Sequence, residues 1–278
     1  MSQVNLANAF KAACMAEIEA LKPGNVHIFA DGHGMTVQDF IASAEAASEI
    51  IAQPDLSLGQ RILFSVQATQ KVMNMNTNLG IILLCAPVIQ AVIQAKLSEN
   101  KIGLQANIHA VLATSTIEDA EACFAAIRLA KPAGLGTSDA HDVLQAADCT
   151  LLQAMQAAPN DLIAQQYANN FMHVFDGLAY YQKALTKWQR PAWAATALHL
   201  HYMSQFLDSH IVRKYGETIA KLVQNEAAQY EAEFLAVFNP KNYQSQLLTF
   251  DAALKKRKLN PGTSADLTVA TLFLHAIT

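Results

Sequence analysis

The chain is poor in charge. Asp, Glu, Lys and Arg make up 15% of its 278 residues, and the net charge is −4. A broad electrostatic grip on nucleic acid needs a clustered basic surface, so the composition argues against that class and leaves room for a local phosphate pocket. Alternating Val/Ile/Thr runs bounded by turn pairs are missing, which removes the signal for strands. No GxSxG, HExxH, GxxxxGK or GxGxxG segment is present, so the familiar nucleophile, zinc-protease and dinucleotide readings have no support. The four cysteines (Cys14, Cys85, Cys123, Cys149) are far apart, with no CxxC spacing. They read as small buried thiols in a reducing compartment. The N-terminus lacks a basic segment followed by an apolar one, so no secretory signal is expected. The longest apolar run, from Leu79 to Ile93, is interrupted by Pro87 and Gln90. It is shorter than the ~20 residues of a spanning helix and reads as a central buried helix. The expectation is a cytoplasmic protein with neither membrane nor nucleic acid as partner.

What the chain does have is apolar, helix-forming sequence. Hydrophobic residues make up 52%; this length can bury a sizeable core, and leftover apolar surface would suit a second copy of the chain. Ala, Leu, Gln, Glu and Met dominate segments of helical periodicity. Gly and Pro cluster in connections: KPGN (22–25), ADGHGM (30–35), AQPD (52–55), KPAGLGTSD (131–139), APND (158–161), QRP (189–191) and NPGTSAD (260–266). The pattern predicts helices near 3–20, 37–52, 57–73, 79–98, 101–113, 116–130, 139–157, 161–187, 191–207, 216–237, 241–257 and 263–277. Thr36 with Asp39 has the spacing of a capping box. Without a long linker or a repeat, the fold class is all-α: one domain of about a dozen helices over residues 1–278.

Four polar segments carry more than a connection needs. KPGNVHIFADGHGM (22–35) holds Lys22, Asn25, His27, Asp31 and His33. It reads as a substrate loop or a solvated connection, with a His27/Asp31/His33 metal site as a variant of weak spacing. Asn76, Thr77 and Asn78 open the most apolar helix. One of them suffices as a cap, and the surplus amides beside helix N–H groups suit phosphate oxygens. KKRKLNPGTSADL (255–267) joins a basic helix end to Thr263 or Ser264 as caps, with Asp266 in the first turn. LDSHIVRKYG (207–216) gathers Asp208, Ser209, His210, Arg213 and Lys214 before a glycine. It is a metal-phosphate site or a plain helix terminus.

In order, these loops resemble the triphosphoribosyl-dephospho-CoA synthase family. The likeness lies in Lys22-Pro23-Gly24 with Val26, Asp39-Phe40 with Ser43, Asn76-Thr77 with Gly80, Asp208, and Leu259-Asn260-Pro261-Gly262 with Ser264-Ala265-Asp266-Leu267. It departs at KPGNVH, NTNLG and LDSH, where the citrate lyase branch has KPGLVD, NTHKG and GDTN; His27, Asn78 and Leu79 mark a separate branch. The resemblance implies a helical transferase that moves the triphosphoribosyl group of ATP, with release of adenine, to a ribose hydroxyl of dephospho-CoA or a related acceptor. The rival readings are transfer to another cofactor precursor, a non-catalytic nucleotide-binding helical protein, and a metal-dependent nucleotide hydrolase. It further implies Glu17, Asp208 and Asp266 as catalytic carboxylates, with Mg2+ on Asp208 and Asp266. Lys22, Gly24, Asn25, His27, Asn76, Thr77, Asn78, Arg213, Gly262, Thr263 and Ser264 would bind nucleotide and phosphate.

Overall fold

A computed structural model describes residues 2–97, 103–137 and 140–278. The described residues form fourteen α-helices and one 3-10 turn, with no strand; only two isolated bridges occur, His27 with Ala30 and Gly32 with Met35. In chain order the helices are α1 (Gln3–Glu19), α2 (Val37–Ile51), α3 (Leu58–Val72), α4 (Leu79–Leu97), α5 (Leu104–Ala113), α6 (Ile117–Ala130) and α7 (Leu151–Gln156). They continue with α8 (Leu162–Ala168), α9 (Met172–Trp188), α10 (Pro191–Gln205), α11 (Ser209–Tyr215), α12 (Glu217–Ala236), α13 (Gln244–Lys256) and α14 (Gly262–Ile277).

Local chemistry sets many of the helix starts. Ser2, Thr36, Ser57, Thr116 and Thr150 each accept a hydrogen bond from the backbone N–H three residues on. Thr36 with Asp39 is a complete capping box. The apolar segment after Asn78 becomes α4, buried from Leu79 to Ala91 with Pro87 inside it. By length and composition α4 could cross a membrane, but two-thirds of that stretch is covered by other helices. It packs on α3, α5 and α14, and α14 in turn packs on α1, α9 and α10. Arg61 of α3 fixes one side of α4. It is wholly buried, and it donates to Gln90 Oε1 at 3.0 Å and to the Ile51 and Gln53 carbonyls at 2.5 and 2.7 Å.

Three expectations are corrected. The predicted helix 139–157 is mostly a connection, and only α7 is helical; position 139 lies outside the described residues, as do 98 and 101–102 at other predicted helix ends. Asp142 bonds its own chain at Leu144 N–H (2.8 Å), and Arg128 takes the Val143 and Gln145 carbonyls (2.6 and 3.2 Å). These bonds replace the helical ladder with side-chain-to-backbone bonds. The predicted helix 161–187 breaks in two because Asn170 and Phe171 adopt left-handed backbone, φ 65° and 60°. Residues 209–215 add the short helix α11.

Candidate active site

A cavity of about 360 Å³ lies where the end of α1, the openings of α4 and α14, the short helices α7, α8 and α11, and the connecting residues 132–137 and 140–143 converge. Its size is that of a small-molecule site. Glu17, Asn25, Asn76, Thr77, Asn78 and Asp266 give it a polar wall, joined by Asn260, Gly262, Thr263, His210 and Arg213. Phe124, Ile127, Met155 and Ile163 form an apolar wall opposite in character.

The first polar loop is a buried scaffold behind this wall. Lys22 is fully buried; its ammonium donates to Glu17 Oε1 and, at 3.0 Å, to Asn25 Oδ1. Asn25 Nδ2 donates to Asn260 Oδ1 at 2.8 Å, which stitches the KPG loop to the NPG loop 235 residues later. Burial pushes the Glu17 carboxyl up and the Lys22 amine down, and each charge works against the other's shift. Gly24 has φ +83°, and a Cβ there would lie 2.7 Å from Pro261 Cδ. Both the left-handed backbone and the close approach of the two loops require glycine. Its N–H donates to Asp251 Oδ1 at 2.8 Å, and its carbonyl is 2.8 Å from His33 Nε2.

Lys22, Gly24 and His27 therefore do not reach the cavity, contrary to the phosphate-binding expectation. His27 is buried 3.4 Å from Asp251 Oδ1, and Asp251 also accepts from Lys255 at 3.0 Å. Asp31 accepts from Val37 N–H, so His27, Asp31 and His33 each serve a different partner and do not converge as ligands.

The amides before α4 divide between fold and cavity. Asn76 Oδ1 accepts from Leu79 N–H at 3.2 Å and caps the helix. Thr77 Oγ1 lies 2.6 Å from Ser43 Oγ. Asn78 Nδ2 donates to Thr69 Oγ1 (3.0 Å) and the Ser43 carbonyl (3.3 Å). Two residues later Gly80 makes room for a carboxylate. A Cβ on Gly80 would fall 2.0 Å from Asp266 Oδ2. Asp266 is only partly covered, and its side chain makes no hydrogen bond or ion pair among the described residues. Its carboxyl is pushed well above the usual range, by burial first and then by the charges of Asp208 and Glu17.

Asp208 and Ser264 are also corrected. Asp208 is buried and does not line the cavity. Its Oδ1 accepts from the N–H groups of His210 (3.0 Å) and Ile211 (3.2 Å), capping α11. Its Oδ2 accepts from Ser264 N–H and Oγ, both at 2.8 Å. Four donors occupy both oxygens, which leaves no free lone pair for a metal. Arg213 lines the cavity while pairing with Asp161 Oδ2 at 2.5 Å, and its buried Nε has no partner among the described residues. Lys214 is exposed beside the Tyr215 ring.

Sequence reasoning missed Asp251, Asp161 and the apolar wall. Asp161 sat in a noticed turn, where an acid before an apolar run signals a helix cap. Asp251 lies mid-helix with Lys255 one turn on, a pattern shared by ordinary surface pairs.

The profile of the family described as CitG: ATP:dephospho-CoA triphosphoribosyl transferase matches residues 3–278. The fold is similar to a crystal structure from Archaeoglobus fulgidus, described as that of a candidate triphosphoribosyl-dephospho-CoA synthase. The TM-score is 0.62 at 20% identity, over 86% of this chain and 96% of that one. No match was found among curated proteins. With a family profile spanning all but the first two residues, this chain belongs to the ATP:dephospho-CoA triphosphoribosyl transferase family.

Proposed function

We propose that the cavity described above is where the family's transfer takes place: the C1′–N9 bond of ATP breaks, a ribose hydroxyl of dephospho-CoA forms the new bond to C1′, and the hydroxyl proton is carried away to balance the protonation of departing adenine. The observation that carries this reading is the pair of carboxylates on the polar wall, Glu17 and Asp266, one held by a lysine and the other unpartnered.

An oxocarbenium-like centre needs a nearby negative charge that costs nothing to orient. Glu17 supplies it, because Lys22 holds the carboxylate from behind and Asn25 Oδ1 accepts from the same ammonium to keep it in place. Burial also raises the Glu17 carboxyl, which suits a group that accepts the acceptor hydroxyl's proton. The triphosphate is assigned to the openings of α4 and α14, whose first-turn N–H groups and macrodipoles favour anions, with Arg213 as the cation at the wall. The donor chemistry fits magnesium at Asp266 and not at Asp208: a hard ion takes one or two carboxylates and completes its shell with phosphate oxygens and water. Bound there, magnesium would neutralise triphosphate charge. The apolar wall of Phe124, Ile127, Met155 and Ile163 excludes the water that would otherwise compete as acceptor.

The test is adenine release, followed chromatographically with ATP, magnesium and dephospho-CoA. Adenine should appear only with acceptor present, and Glu17→Gln should lower turnover by about 10²-fold or more. Wild-type turnover in that variant would remove Glu17 from the chemistry. Adenine release by water alone would point to a hydrolase.

A further inference from the structure

Among the described residues one group of side chains has the composition of a transition-metal site, and it has no part in the roles assigned above. His141, Asp148 and Cys149 each bring one donor atom to within 4.8 Å of the other two. His141 Nδ1 is already 2.6 Å from Asp148 Oδ1. The three other cysteines are buried and belong to no such group among the described residues.

We infer that His141, Asp148 and Cys149 form a binding site for a zinc-type divalent ion, which staples the cavity-wall connection to the foot of α7. The donor set is one imidazole nitrogen, one carboxylate oxygen and one thiolate sulfur, the mixture that suits zinc and excludes magnesium. Bonds of about 2.0–2.3 Å in a tetrahedron hold donor atoms roughly 3.5 Å apart, so small side-chain rotations close the site. Asp148 is 70% exposed on its side chain, which leaves a fourth position for water. On binding, the Cys149 S–H proton passes to solvent and the thiolate ligates the ion.

The placement gives the site a purpose. Between α6 and α7 the chain is pinned at Val143 and Gln145 by Arg128 and at Ala147 by Glu121. Residues 140–142, which line the cavity, lie before those pins. His141 adopts left-handed backbone, φ 50°, a conformation sparsely populated by residues that carry a Cβ. An ion shared by His141 and Cys149 ties this stretch to the residue just before the Thr150 cap of α7. Whether the ion binds can be read without reference to the transfer.

The test is titration of the reduced full chain with Co2+ alone. One equivalent should produce a thiolate-to-cobalt charge-transfer band, with release of a proton, and one equivalent of Zn2+ should abolish the band. Cys149→Ser and His141→Ala should remove it, with folding checked by circular dichroism. Asp148→Asn alters an exposed side chain and should fold in any case; it should weaken cobalt binding by more than about tenfold. No charge-transfer band at stoichiometric cobalt, a band that survives Cys149→Ser, or unchanged affinity in Asp148→Asn would each overturn the site.

Discussion

Gly80→Ala is the sharpest probe of the cavity. The new methyl would start 2.0 Å from Asp266 Oδ2, 2.5 Å from its Cγ and 2.9 Å from Ile163 Cδ1, where ordinary contact begins at 3.4 Å. The carboxylate oxygen must therefore retreat by more than about 1 Å, and a misplacement of that size costs on the order of 10²-fold in rate. That is about 2.7 kcal/mol of barrier. Stability should change far less. The displaced atoms are the free end of a side chain with no hydrogen bonds to lose, and alanine is up to ~1 kcal/mol better than glycine inside a helix. The assay is the initial rate of adenine release at saturating ATP and acceptor, set beside the thermal midpoint. Gly103→Ala is the control for rate, because no described residue lies within 4 Å of a Cβ there; it should leave the rate unchanged and, as a change at the N-cap of α5, cost about 1 kcal/mol or less of stability. If Gly80→Ala keeps kcat within about twofold while its fold is intact, Asp266 is not held in a productive place by this contact, and its assignment to the triphosphate fails.

Two further outcomes follow from burial. Asp208→Ala should act on stability before chemistry: it removes the α11 cap and leaves the buried Ser264 N–H unpaired, for a loss of about 2–4 kcal/mol in urea unfolding. A variant of wild-type stability would show that the cap is idle. His199 is fully buried and held neutral down to about 3, chiefly by burial and then by the charge of Lys22. Its ordinary value is 6.5, so between the two the unfolded chain binds the extra proton. Its contribution is fully present above pH 6.5 and is lost as pH falls, by about 1.4 kcal/mol per unit. Unfolding free energies at pH 7, 5.5 and 4.5 should show a shallower decline in His199→Gln; parallel declines would refute the account.

The helices were legible because their starts are written locally: Thr36 with Asp39 reads the same on the page and in space, and in the structure Ser57 with Gln60 and Thr116 with Asp119 close boxes of the same spacing. The 139–157 segment was not, because Ala, Leu and Gln there favour a helix while Arg128, from the preceding helix, claims its carbonyls. The polar loops were legible as a set, and most of them reach one cavity. Their division of labour was not. Lys22 and Asp208 have the charges of substrate-binding groups, but burial turns them to Glu17 and to Ser264. Asp251 acts across 227 residues of chain on Gly24, and no local pattern marks such a bond.

That long reach has a consequence for synthesis. Asn25 finds Asn260 and Gly24 nests against Pro261, so the first loop acquires its mates only when the stretch that leads into α14 has left the ribosome. A nascent chain can fold many of its earlier helices and still lack half of the polar wall. The pocket is complete only once α14 has been made, and a copy terminated before it carries at most part of the polar wall.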